Sequence, residues 1–175
     1  DEQKGLDPDG RLINKAIADE LVERLQAGPD GFIKGVTKSK KKDVQRLPLS
    51  LSSLQVLAGK AFSYDPQTVL DTAQKLYEKK LTTYPRSDCR YLPEEHFAER
   101  HKVMNAISQH CQAYQTLPSV VDTEQRNRCW NDKKVEAHHA IIPTANTRSI
   151  NLSIDEQRIY ELIARQYLLQ FCPDA

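Results

Sequence analysis

A tyrosine, an arginine and an aspartate stand at alternate positions in Thr82-Thr83-Tyr84-Pro85-Arg86-Ser87-Asp88. Pro85 pushes Tyr84 out of helical geometry and into the extended region. Residues two apart on an extended chain face the same side, so Tyr84, Arg86 and Asp88 are expected to meet one ligand. A tyrosine hydroxyl, once deprotonated, is a competent phosphoryl acceptor. A guanidinium two residues on can grip the phosphate bidentately and stabilise its developing charge. Asp88 is then placed to orient Arg86. The same residues also fit an ordinary surface turn.

Three other segments carry possible chemistry. In Glu136-Ala137-His138-His139-Ala140-Ile141-Ile142-Pro143-Thr144, a histidine could hydrogen-bond a phosphate oxygen or move a proton near neutral pH. Adjacent histidines point opposite ways on an extended chain, so one of the pair is expected to serve a given site. The bland alternative is a polar loop leading into a buried strand. In Leu49-Ser50-Leu51-Ser52-Ser53-Leu54-Gln55, hydroxyls and free N–H groups at a helix start could bind a DNA phosphate, or simply cap the helix. The run Lys38-Ser39-Lys40-Lys41-Lys42 could touch a nucleic-acid backbone or stay a solvated loop.

The positioning elements follow from periodicity. Ile13, Ile17, Leu21 and Leu25 predict a helix over 12–27, stopped by Gly28-Pro29. Residues 32–47 read as an extended or hairpin segment with a basic tip. Ser50 caps a helix with Leu51, Leu54, Ala58, Ala61 and Phe62 on one face. After a short turn, Asp65-Pro66 opens a helix that buries Val69, Leu70, Ala73, Leu76 and Tyr77. Two short helices joined tightly make a helix-turn-helix candidate. Residues 81–84 are extended in character. A helix is expected from about Pro93 to Tyr114, facing inward with Phe97, His101, Met104, Cys111 and Tyr114. Residues 117–147 read as loop with short strands. Ser153-x-x-Glu156 is a capping box opening a last helix over Ile159, Leu162, Ile163, Tyr167 and Phe171.

Bulk properties bound the answer loosely. The 175 residues suffice for one domain with a core, or one domain and pieces of another. Hydrophobic residues at 39% and charged residues at 28% are ordinary for a soluble globular chain. A net charge of +1 means that any basic surface is local. No stretch approaches the roughly 20 apolar residues of a membrane helix, and the polar, acidic run Asp1–Gly10 is not expected to be a signal peptide. Cys89, Cys111, Cys129 and Cys172 lie scattered, which favours free thiols in a reducing compartment over a disulfide frame or zinc site. The chain opens without a methionine in a polar run and stops just after a strong helix. It is therefore expected to be part of a longer protein.

Jointly the motifs say more. Leu-Ser-Ser-Leu-Gln at a helix start, then Thr-Thr-Tyr-Pro-Arg-Ser-Asp, then Ala-His-His-Ala-Ile-Ile-Pro-Thr resembles the type IA DNA topoisomerase family. The Tyr-Pro-Arg and His-His-Ala-Ile-Ile-Pro-Thr forms look most like its bacterial topoisomerase III branch. The resemblance covers nearly the whole chain.

That resemblance implies a mainly α fold (α+β with minor strands), a catabolite-activator-like helix-turn-helix tyrosine domain with flanking pieces of a hinge domain. Residues 1–47 would be partial hinge, 48–150 the tyrosine domain, and 151–175 a helix returning to the hinge. It implies Tyr84 as the nucleophile that joins to a 5′ phosphate of single-stranded DNA, with Arg86 steadying the phosphate and His138 assisting. Ser50, Ser53, Gln55, Ser87, Asp88 and His139 are the further expected DNA contacts. The family's acidic Mg2+ cluster and catalytic lysine belong to an N-terminal toprim domain. The Mg2+ ligands are therefore expected outside these 175 residues, and no metal ligand is assigned within them. A free tyrosine ionises near pH 10, roughly, so the nucleophile needs help from elsewhere and the isolated chain is expected to be inactive. The expected partners are single-stranded DNA and the toprim and hinge parts of the same enzyme, in a cytoplasmic bacterial monomer. The competing reading is a non-catalytic helix-turn-helix DNA-binding module. A tyrosine recombinase would want dispersed Arg and His residues around a tyrosine near the C-terminus, and a relaxase a three-histidine cluster. Neither pattern is present.

Overall fold

A computed structural model describes residues 5–28, 31–39, 41 and 43–174. They fall into two compact units, Asp1–Lys41 and Lys42–Ala175. The boundaries expected near residues 47 and 150 both lie inside the second unit.

In the first unit, Asn14 caps helix α1 (Lys15–Gln26) by accepting from the Ala16 and Ile17 amides. Gly28, at a φ of 67°, provides the left-handed stop that a side chain would resist. Pro29, the other expected stop signal, lies outside the described residues. Of the expected apolar stripe, Ile17 is half-buried, while Ile13, Leu21 and Leu25 are exposed. Residues 31–39, 41 and 43–48 have no regular structure, so no hairpin forms among the described residues. Lys40 and Lys42 of the basic run lie outside those residues.

The second unit is a helical core. Ser50 and Ser53 exchange side-chain and backbone hydrogen bonds in a capping box that opens α2 (Leu51–Phe62). Ser63, at a φ of 59°, ends it. Asp65 then accepts from the Gln67 and Thr68 amides, and Pro66 sits where no intrahelical N–H is needed, opening α3 (Pro66–Glu78). Helix α5 (Ile154–Leu168) starts at the Ser153–Glu156 capping box and packs against both α2 and α3. Leu54, Ala58, Val69, Ala73, Leu76, Ile159 and Ile163 are fully enclosed between them. Trp130, Tyr167, Phe171 and the half-buried Phe97 extend this core as an aromatic cluster with ring centroids 5.3–6.3 Å apart.

Several expectations need correction. The predicted helix over 93–114 is three pieces: a 3₁₀ helix Glu94–Glu99, α4 (Arg100–His110) and a 3₁₀ turn Gln112–Tyr114. Pro93 provides no side-chain cap, and Cys111 leaves helical geometry at φ −122°, ψ 108°. Val103, Met104, Ala106 and Ile107 face inward, whereas His101 is exposed. Tyr77 is also 40% exposed rather than buried. No strand forms among the described residues. The extended segments of the second unit pair through single bridges, Leu49–Ile141 and Thr82–Pro143 antiparallel and Leu92–Trp130 parallel. Pro48, Pro85 and Pro143 remove the amide donors that a longer ladder would need.

One ion pair ties the end of α3 to the start of α5. Lys79 Nζ donates to Glu156 Oε1 at 2.6 Å, and the other Glu156 oxygen accepts from the Ser153 amide at 2.7 Å. The Glu156 side chain is only 6% exposed. Burial would raise its pKa, but the bonds from Lys79 and Ser153 outweigh burial and hold it below 4.5. A carboxylate depressed in the folded state stabilises the fold above its unfolded pKa, and that contribution fades as pH falls through the folded value. Glu156→Gln is expected to cost about 1–3 kcal/mol at pH 7, the range for a hydrogen-bonded charge losing its partner. Urea denaturation of both proteins should show the gap shrinking steadily below pH 4.5.

Candidate active site

The Tyr84 and His138 segments are joined by a short clamp. Thr83 N donates to Ile142 O at 2.9 Å, and Thr144 N donates to Leu81 O at 2.9 Å. The Thr83 hydroxyl accepts from Ile142 N at 3.0 Å and donates to Ala140 O at 3.1 Å. The Thr144 hydroxyl donates to Lys80 O at 2.6 Å. Beneath the clamp, Ile141 N reaches Leu49 O and Ala140 N reaches Tyr91 O, at 2.8 and 2.9 Å. The clamp therefore sits directly on the entry to α2. Arg90 pins that entry from the other side through the Leu47 and Pro48 carbonyls.

This scaffold leaves Tyr84 half-buried between two rings. Tyr77 meets it edge-on with centroids 5.6 Å apart, and the His138 ring lies against it at 4.6 Å with a 37° tilt. Tyr84 is outside any helix, as expected of a residue before proline. The chain bends at Pro85 and Arg86 rather than running straight. Arg86 is exposed, and neither a hydrogen bond nor an ion pair occupies its guanidinium among the described residues. The expected orienting contact from Asp88 is therefore not made, because the bend breaks the alternation that would have put the two side chains on one side. Asp88 is exposed.

The other expected contacts are placed unevenly. Ser50 is 3% exposed, and its hydroxyl is engaged with Ser52 and Ser53. Ser53 is spent on the capping box, and Gln55 donates to the Pro66 carbonyl at 3.0 Å. Ser87 is 2% exposed and accepts from Cys89 N, while its own carbonyl accepts from Leu51 N at 2.8 Å. The first amide of α2 thus points at the Tyr84 segment and is already taken. Four of the expected DNA contacts are structural groups in this state. His138 is exposed, and His139 is half-buried. His139 packs edge-on against His96 at 4.7 Å and directs Nδ1 to the Ala140 carbonyl at 2.8 Å. The two histidines do diverge, one toward Tyr84 and one toward His96.

Sequence reasoning missed three contributors. Helical spacing assigns Tyr77 to the core, although it closes the last turn of α3 beside Tyr84. The motif gives Thr83 no task of its own. His96 carried no signal, since its importance is a contact across 43 positions.

No described residues form a cluster of three or more His, Cys, Asp or Glu suited to a metal ion. The chain's single Asp-x-Asp, Asp7-Pro8-Asp9, belongs to the first unit, where Arg11 pairs with both carboxylates at 2.8 and 2.6 Å. Those aspartates are committed to a local turn and do not fit a Mg2+ site.

A family model described as DNA topoisomerase matches residues 2–175. DNA topoisomerase 3 of Haemophilus influenzae is 61% identical over 97% of the chain and 26% of the relative. DNA topoisomerase 3 of Pasteurella multocida is 54% identical over the same shares. DNA topoisomerase 3 of Staphylococcus saprophyticus is 36% identical over 88% of the chain and 22% of the relative. The chain thus spans about a quarter of the length of these curated relatives.

The histidine pair gives a testable titration. Burial, reinforced by the neighbouring His96 and His138, lowers the His139 pKa below 6.5 against the opposing pull of the Ala140 carbonyl. The folded chain therefore binds this proton less readily than the unfolded chain, and stability falls as pH drops through 6.5. Histidine-resolved NMR should place the His139 midpoint below 6.5, and His139→Gln should flatten the loss of stability on acidification.

Proposed function

The chain belongs to the DNA topoisomerase family, and from that premise we propose that it carries the strand-cleaving tyrosine of a bacterial type IA topoisomerase III. The reading assigns Tyr84 as nucleophile. Its hydroxyl oxygen attacks the phosphorus of a single-stranded DNA phosphodiester. The tyrosine hydroxyl gives up its proton, the bond from phosphorus to the 3′ oxygen breaks, and that oxygen takes up a proton, leaving a 5′-phosphotyrosine and a free 3′-hydroxyl. Attack by that hydroxyl reverses the step and reseals the strand. The phosphodiester energy is kept in the tyrosyl ester, so passage of another strand through the gap needs no ATP.

The observation that supports this best is Tyr84 held between the Tyr77 and His138 rings, with the Arg86 guanidinium unoccupied two residues on. Arg86 is suited to grip the non-bridging oxygens as charge develops on them. His138, exposed and against the tyrosine ring, is suited to donate to the same phosphate. Further contacts from Ser87, Ser53, Gln55 or His139 would need their present partners to yield, whereas Asp88 is exposed. Mg2+, where the whole enzyme uses it, would neutralise phosphate charge from ligands outside this chain. The α2–α3 pair is read as a catabolite-activator-like helix-turn-helix, with residues 1–47 and 151–175 as parts of a neighbouring hinge. In the whole enzyme the toprim and remaining hinge parts complete the site.

In the full-length enzyme, Tyr84→Phe is expected to abolish covalent capture of a 3′-labelled single-stranded oligonucleotide while leaving its binding unchanged. Arg86→Ala should slow cleavage about 10²–10³-fold, the range for losing one charge-stabilising donor. The isolated 175-residue chain should not relax supercoiled DNA. A covalent adduct on the phenylalanine variant would leave only the DNA-binding module.

A further inference from the structure

The neighbouring residues Thr82 and Thr83 are chemically identical and differently used. Thr82 is 1% exposed, and its hydroxyl has no hydrogen-bond partner. Thr83 places its hydroxyl between two backbone groups of the opposite segment, the Ala140 carbonyl at 3.1 Å and the Ile142 amide at 3.0 Å. Its own amide adds a bond to the Ile142 carbonyl at 2.9 Å. Ala140 and Ile142 are themselves buried, so water cannot replace these bonds without opening the segment.

The consequence reaches both reacting groups. Thr83 precedes Tyr84 directly, and Ala140 lies two residues after His138. A side-chain hydroxyl that fixes residue 83 against residues 140 and 142 fixes the separation of the two rings, now 4.6 Å. No other side chain of residues 82–88 bonds to residues 138–142 among the described residues.

We infer that Thr83 is a positioning residue, whose hydroxyl holds the His138 segment in register with Tyr84. The inference rests on the assignment of Tyr84 as nucleophile. Thr83 touches neither phosphate nor leaving group and acts through His138.

Valine keeps the shape of threonine and removes the two hydroxyl bonds. In the full-length enzyme, Thr83→Val should lower the single-turnover cleavage rate at saturating oligonucleotide about 10- to 100-fold, the scale of a small misplacement at a reacting centre. Oligonucleotide affinity should stay unchanged. Thr83→Ser should restore the rate. Thr82→Val, which removes a hydroxyl without a partner, should cleave like the parent. In a His138→Ala background, Thr83→Val should add little further loss, because residues acting through one another are not additive. Thermal melting checks folding, and Thr83→Ala stands in if the valine variant does not fold. Parental cleavage by Thr83→Val overturns the inference. So does an equal loss in Thr82→Val, or a full additional loss in the His138→Ala background. The nucleophile assignment is judged separately by adduct formation in Tyr84→Phe, so the two can fail independently.

Discussion

The site depends on the clamp between residues 81–83 and 140–144. These segments are far apart in sequence and share no strand ladder, only one bridge at Thr82–Pro143 and a few hydrogen bonds. A net contribution of about 0.5–1.5 kcal/mol per bond would not hold two loops together in water. The clamp persists because its inner face is dry: Leu81, Thr82, Ala140, Ile141 and Ile142 are all buried. Breaking it would strand buried carbonyl and amide groups, and that penalty exceeds the worth of the bonds. The two hydroxyls supply bonds that a sheet would take from backbone, which lets the chain keep Pro85 and Pro143 where the site bends.

Below the clamp, the helices set its position rather than its chemistry. The end of α3 delivers Lys79 and Lys80 to the clamp, and both carbonyls are used: Asn146 donates to the first and Thr144 to the second. The Lys79 side chain turns the other way, to Glu156 at the start of α5. One turn of chain thus registers the tyrosine segment against both the histidine segment and the core. On the far side, Gln166 and Gln170 of the α5 region donate to the Arg46 and Leu47 carbonyls and hold the entry to α2. The exposed Arg86 and His138 stand on rigid support, the usual arrangement for functional residues carried on loops.

Sequence reading succeeded where a local rule decides the outcome. Ser50, Asp65-Pro66 and Ser153-x-x-Glu156 each opened a helix where their capping chemistry requires one. Tyr84 is non-helical because Pro85 excludes helix there. Most of the failures are non-local. Residues 93–114 have helical period, but buried Cys111 takes extended geometry and His110 bonds the Asn146 carbonyl at 2.7 Å, ending α4 early. Tyr77 has core spacing on α3 but is 40% exposed, its ring set edge-on against Tyr84. The Arg86–Asp88 pairing assumed a straight chain. The division of labour between Thr82 and Thr83 is invisible in sequence, since it depends on what stands opposite each hydroxyl.

The same geometry constrains how such a site can work. Thr83, Ala140 and Ile142 form one hydrogen-bonded body; Tyr84 follows it directly, with Arg86 two residues further on and His138 two residues before Ala140. Any motion that parts the broken DNA ends in the proposed reaction must therefore carry tyrosine, arginine and histidine together. A phosphotyrosine would travel with its charge-stabilising donors, still held for the return attack. The groups left behind would be those that bind the free 3′-hydroxyl and move its proton, and this chain offers no candidate for them among its described residues. In the proposed reaction the clamp would thus separate the roles: the groups suited to steady the phosphate would stay with the tyrosine, and those serving the leaving oxygen would come from elsewhere in the enzyme.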